Sequence, residues 1–148
     1  MTRTIAADSQ PALLATSRPS SVARPVYQSY LMLLFGFAAL PVIAGADKFF
    51  QMLTTWEQYL APQVTEFLPV TGHTFMLAGG VIEIAAGLLV AFRPRIGAYV
   101  VALWLGGITG NLLLAGFYDI ALRDFGLLIG ALALARLSHE FKPKPLGV

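Results

Sequence analysis

Long apolar stretches, separated by short polar or glycine- and proline-containing breaks, make up most of this chain. Four of them approach the length needed to cross a membrane, about 20 residues. Val26 to Ala46 is the first, uncharged and with Pro41 near its outer end. His73 to Phe92 is the second and holds one charge, Glu83, near its middle. Ile96 to Tyr118 is the third, again without charge. The fourth, Asp119 to Leu137, is interrupted by Arg123 and Asp124, which leave only the eleven residues Phe125 to Ala135 free of charge. Eleven helical residues rise about 16 Å, short of the roughly 30 Å hydrocarbon core. Either this span carries its charge pair inside a bundle or it is a half-span, and the first reading is preferred. The pattern predicts an all-α membrane protein, a four transmembrane helix bundle spanning 26–137.

The connection between spans one and two, Asp47 to Gly72, is long and patterned. Phe49, Met52, Leu53, Trp56, Tyr59 and Leu60 recur at helical spacing, with Lys48, Gln51, Thr55 and Gln58 opposite. This predicts an amphipathic interfacial helix in the outer loop, ending near Pro62 and anchored by Trp and Tyr. Phe92-Arg-Pro-Arg95 reads instead as a tight turn on the other side.

Composition agrees with lipid as the solvent. The chain is 57% hydrophobic and 12% charged, against about 25% charged in soluble domains, and its mean hydropathy is +0.71. A water-soluble enzyme, a disordered chain and a nucleic-acid partner are all disfavoured. The absence of cysteine excludes disulfides, thiolate nucleophiles, zinc ribbons and thiol-ligated iron–sulfur clusters. Residues 1–25 carry Pro11, Pro19 and several Ser and Thr without an apolar run long enough for a signal peptide, and are expected to be a flexible tail; 138–148 is expected to be a second one. Arg3, Arg18, Arg24, Arg93, Arg95, Arg136, Lys142 and Lys144 fall on one side of the four spans, with only Lys48 on the other and Arg123 in or near span four. That asymmetry puts both termini in the cytoplasm, in a plasma (inner) membrane of bacterial type.

Few residues offer chemistry. Gly79, Glu83, Ala86 and Gly87 share one face of span two, so Glu83 is expected to face another helix. A carboxylate near mid-membrane is by default a functional candidate; the alternative is a neutral, hydrogen-bonded Glu that holds helices together. By helical rise, Asn111 and Arg123 lie roughly 7 Å to the outer side of Glu83, and Asp124 one step deeper than Arg123. Glu83, Asn111, Arg123 and Asp124 thus form a candidate polar cluster opening outward, within reach of Lys48 at the end of span one; an internal ion-pair network is the competing reading. Asp119 and Arg123 are spaced i, i+4 in the favourable order. Gly106, Gly110, Gly126 and Gly130 are read as packing positions. His73 at the outer boundary and His139 at the inner end cannot ligate one haem, and no phosphate loop, nucleophile elbow or HExxH motif occurs. No catalytic residue, metal site or cofactor is evident from the residues alone.

Gly45-Ala-Asp-Lys48-Phe at the end of span one, Gly80-Val-Ile-Glu83-Ile-Ala-Ala-Gly87-Leu-Leu in span two, and the short basic turn with a glycine beyond it resemble the DoxX-like membrane proteins. The likeness covers roughly Tyr30 to Leu137. It implies a four-helix membrane protein, functional importance for Lys48 and Glu83, and a setting among membrane oxidoreductase subunits, the founding members being linked to thiosulfate:quinone oxidoreductase. Nothing here matches a thiosulfate-handling site, so the resemblance points to an accessory subunit that depends on a partner or a bound quinone. A small proton-coupled transporter using Glu83 and a purely structural membrane subunit are the alternatives.

Overall fold

The structure, a computed structural model, describes residues 23–67 and 69–141. Arg3, Arg18, Lys142 and Lys144, with most of both expected tails, lie outside the described residues. Among the described residues the chain is all-helical: α1 (Ala23–Phe50), a 3-10 turn (Trp56–Tyr59), α2 (Pro62–Phe67), α3 (Gly72–Phe92), α4 (Pro94–Ala115) and α5 (Tyr118–Glu140). Three helices are long and apolar enough to cross a membrane: the Arg24–Phe50 part of α1, α3 and α4. The chain is therefore a multi-pass membrane protein. α5 has 23 residues, a rise of about 34 Å, but its charges make it less apolar than the other three. It is one uninterrupted helix, and helix continues to Glu140 through positions expected to belong to the tail.

Local sequence explains where each helix stops. Thr71 caps α3 by accepting the Thr74 N–H at 3.2 Å. A single residue, Arg93, separates α3 from α4, and Pro94 opens α4 where its missing N–H costs nothing. Gly97 lies against the Val90 backbone, so the two helices leave this turn in close contact. α4 ends on Gly116 at φ 84°, with the Phe117 N–H donating to the Leu112 carbonyl and the Gly116 N–H to that of Leu113, a Schellman closure.

The expected amphipathic helix across Phe49 to Leu60 does not form as one helix. α1 runs on to Phe50, then Gln51 turns left-handed at φ 52° and donates its N–H to the Asp47 carbonyl. The Asp47 carboxylate takes the next two N–H groups, Met52 at 3.0 Å and Leu53 at 3.1 Å. A side chain that captures the backbone donors just beyond a helix end folds the chain back and leaves no ladder to continue. The segment becomes a compact cap made of the 3-10 turn and α2.

Packing is pairwise: α1 lies along α3, and α4 along α5, with α3 and α4 joining the pairs. A buried core of Tyr30, Phe37, Val90, Ala98, Val101 and Leu134 occupies one end of the bundle. At that end Tyr27 and Tyr30 of α1 meet Phe141, which follows α5, with ring centroids 5.3 and 5.2 Å apart. The first turn of α1 and the last turn of α5 thus lie side by side. Gly110 and Gly126, expected as packing positions, face open space, whereas Gly106 meets Leu128 and Gly130 meets the Phe37 ring.

Candidate functional site

α3 turns its small residues and Glu83 inward, with Gly79, Gly80, Glu83, Ala86 and Gly87 all buried. Gly80 and Gly87 face α1. A methyl group on Gly45 would lie 2.5 Å from the Gly80 carbonyl oxygen, and one on Gly87 would lie 2.7 Å from that of Ala38. Only the absence of a Cβ allows such an approach. Three residues beyond this crossing on each helix, Lys48 and Glu83 project toward each other, and Lys48 Nζ meets Glu83 Oε2 at 2.5 Å. Both residues are only 6% exposed.

Around this ion pair two tryptophans make further contacts. Glu83 Oε1 accepts the indole N–H of Trp104 on α4 at 3.2 Å. Lys48 Nζ sits 3.9 Å from the centre of the Trp56 ring, a cation–π contact that stabilises an ammonium removed from water. Trp56 is itself fixed by donating its indole N–H to Asp47 Oδ2 at 2.8 Å. Sequential neighbours thus divide the labour: Asp47 folds the outer loop back, and Lys48 receives the tryptophan that the loop delivers.

Beside the pair lies a cavity of about 680 Å³, bounded by α1, α3, α4 and α5. Its walls are largely apolar, including Phe37, Leu40, Ala44, Val101, Leu105 and Leu127, and Trp56, Tyr59 and Leu60 roof it. Asn111 fastens that roof. Its Nδ2 donates to the Tyr59 carbonyl at 2.7 Å, and its Oδ1 accepts the Ala61 N–H at 3.0 Å. The Tyr59 ring packs edge-on against Phe117, 5.0 Å between centroids. On the outer surface His73 Nδ1 lies 2.6 Å from Glu57 Oε1.

All five residues singled out in the sequence, Lys48, Glu83, Asn111, Arg123 and Asp124, line this cavity, but they do not form one hydrogen-bonded cluster. Lys48 and Glu83 pair directly. Asn111 is occupied with the loop backbone. Arg123 does not turn inward as a bundle-facing charge: its side chain is 76% exposed and 3.8 Å from Asp119, a loose i, i+4 pair along α5. Asp124 is half-buried on the cavity wall, and among the described residues it takes part in no ion pair. Sequence reasoning passed over Trp104 and treated Trp56 only as an interfacial anchor. A signal for Trp104 exists, since an indole N–H in an apolar span needs an acceptor and Glu83 is the one carboxylate in the neighbouring span. Among the described residues no three His, Cys, Asp or Glu gather as a metal site.

What the arrangement offers is a partly open, largely apolar chamber with the polar groups of Lys48, Glu83, Trp56 and Trp104 on its wall. Two of the three ammonium hydrogens of Lys48 have no oxygen or nitrogen acceptor among the described residues. Of the ionisable groups on its walls, Lys48 and Glu83 neutralise each other and Asp124 adds a carboxyl group, while the Arg123 guanidinium is directed to Asp119. Such a site favours a neutral molecule with a hydrogen-bond acceptor over a free ion. No family model, curated protein or solved structure matches this chain.

Proposed function

We propose that this protein binds a neutral, lipid-soluble ligand of quinone type in its intramembrane cavity, as an accessory or quinone/lipid-binding subunit of a membrane redox assembly. The observation that carries the reading is the cavity itself. Its volume of about 680 Å³ falls within the roughly 300–1,000 Å³ of small-molecule sites, and its apolar walls with a few convergent polar groups match their chemistry. A quinone carbonyl fits the uncommitted Lys48 hydrogens, the Trp56 and Trp104 rings offer stacking surfaces, and the apolar wall suits an isoprenoid chain. A bound quinone would supply reversible two-electron, two-proton chemistry; this chain's own residues would bind and orient it and keep water out.

The resemblance to the DoxX-like proteins in the segments around Lys48 and Glu83 supports the same setting. So does α5, whose length and end-to-end packing against α4 suit a fourth span. Phe49, Phe50, Met52 and Leu53, all strongly exposed around the end of α1, suit an outer loop resting in the membrane interface. The reading includes an inner-membrane location with both termini cytoplasmic. A carrier that protonates Glu83 ranks below it, because that carboxylate is committed to Lys48 and Trp104.

Trp56 and Trp104 are the chain's only tryptophans, and both line the cavity. Titrating the purified protein with a decyl-tailed benzoquinone should therefore quench its fluorescence saturably. Lys48→Met should weaken the apparent affinity at least tenfold. Quenching that rises linearly with quinone concentration, equally in wild type and variant, would sink the proposal.

A further inference from the structure

We propose that the cavity opens sideways into the bilayer through a portal between α1 and α5, and that the tail of a single-chain, carbonyl-headed lipid passes through it. This rests on the lipid-soluble ligand reading above and adds the route and the shape of the ligand.

The argument starts from where α1 and α5 touch. At the inner end they are closed together by Tyr27 and Tyr30 against Phe141, and farther along by Phe37 against Gly130, where a methyl group would lie 3.0 Å from the Phe37 ring. Beyond Phe37 the facing positions of α1 and α5 border the cavity: Leu40, Pro41 and Ala44 on α1, and Leu127, Asp124 and Ile120 on α5. Leu40 and Leu127 do so while remaining 57% and 43% exposed. A residue that borders a cavity and is also half-exposed marks the cavity's mouth, so these two leucines are its lips. The Phe37–Gly130 contact is the floor where the gap begins.

Depth tells what lies outside that mouth. Taking Arg24–Phe50 and Gly72–Phe92 as crossing segments, Leu40 lies roughly 5 Å from the midpoint of the first, and Glu83, the direct partner of Lys48, about 2 Å from the midpoint of the second, both well inside a hydrocarbon core of half-thickness about 15 Å. The lips therefore face acyl chains, and Lys48, eight residues farther along α1, lies about 12 Å toward the loop end of the chamber. A ligand with its carbonyl at Lys48 and its tail leaving between Leu40 and Leu127 would lie parallel to the lipids. Lys48, already neutralised by Glu83, leaves no net positive charge for a phosphate head, and one gap between two helices argues for a single chain.

The test uses two probes, a benzoquinone with no tail and one with a decyl tail, and the double variant Leu40→Phe/Leu127→Phe, which narrows the mouth without adding indole. Val81→Phe, at a 57% exposed position on α3 away from the cavity, is the control, and Leu127→Phe alone serves if the double variant does not give a monodisperse, cooperatively melting protein. The preference for the tailed over the tailless probe should fall at least tenfold in the narrowed variant and stay unchanged in the control. An unchanged preference would overturn the portal while leaving the cavity reading in place. Equal loss of both probes would likewise overturn it, because the substitutions would then act on the chamber and not on the tail's path. Failure of wild type to bind either probe would remove both.

Discussion

A lysine and a glutamate that are each 6% exposed stand or fall together. Each ion loses several kcal/mol of hydration on burial, and their attraction, with the Trp104 and Trp56 contacts, offsets that loss without leaving a large surplus. Removing one partner is what costs most, about 3–5 kcal/mol, because the other remains charged and unpaired. Lys48→Met should therefore lower the melting temperature of the detergent-purified protein sharply, Glu83→Leu similarly, and the double variant should recover most of the loss. A double variant as unstable as the sum of the singles would show that the two side chains are not energetically coupled. Lys48→Arg keeps the charge but replaces a compact ammonium by a planar fork, beside a tryptophan ring 3.9 Å away and a cavity. At this scale the sequence was partly legible: a lone carboxylate on a small-residue face identifies itself, and so does a lysine at the end of a span. The partner was not, because helical rise gives depth along one span and says nothing about which of three neighbours a side chain faces. Arg123 was expected roughly 7 Å from Glu83 in depth, and its side chain is nevertheless 76% exposed.

Among elements, the α1–α3 crossing determines whether that pair can form. Gly80 is placed so that a methyl group would sit 2.7 Å from the Gly45 carbonyl oxygen and 3.2 Å from Lys48 Cβ, so Gly80→Ala must push α1 away or twist it. Overpacking of this kind costs about 1–3 kcal/mol, against a gain in helix propensity of up to about 1 kcal/mol. The comparison is Gly110→Ala, where a methyl group meets nothing within 4 Å and the propensity gain stands alone. Thermal melts should show Gly80→Ala below wild type and Gly110→Ala at or above it. Equal behaviour would mean that α1 and α3 are not held at this distance. The helices themselves were readable to within a few residues, since apolar run length is a strong signal and Pro94 and Gly116 mark ends by their backbone geometry. The outer loop was not readable. Its periodicity from Phe49 to Leu60 is helical, but the pattern cannot register that Asp47 takes the Met52 and Leu53 N–H groups, and capture of these donors outweighs periodicity.

Over the whole molecule, helix packing gathers at one end the segments whose basic residues carry the proposed orientation. Tyr27 near the start of α1 touches Phe141 just past the end of α5, and the Arg93–Ile96 turn shares a surface depression with Tyr30, Ser138 and His139. The start of α1, the α3–α4 turn and the end of α5 therefore lie at one end of the bundle, and Arg24, Arg93, Arg95 and Arg136 belong to those segments. Lys48 is at the other end, under the roof of the outer loop. If α1, α3 and α4 cross the bilayer, an α5 that returns to the level of Tyr27 supports the proposed fourth span over a half-span. The proposed orientation puts this basic cluster on the cytoplasmic face. Because the chain has no cysteine, single substitutions report without background. Thr55→Cys in intact cells should react with a membrane-impermeant maleimide, whereas Glu140→Cys should react only after the membrane is opened. Labelling of both from outside would make α5 a re-entrant or surface helix. It would also place the Leu40–Leu127 mouth in water, where an apolar tail has no reason to emerge.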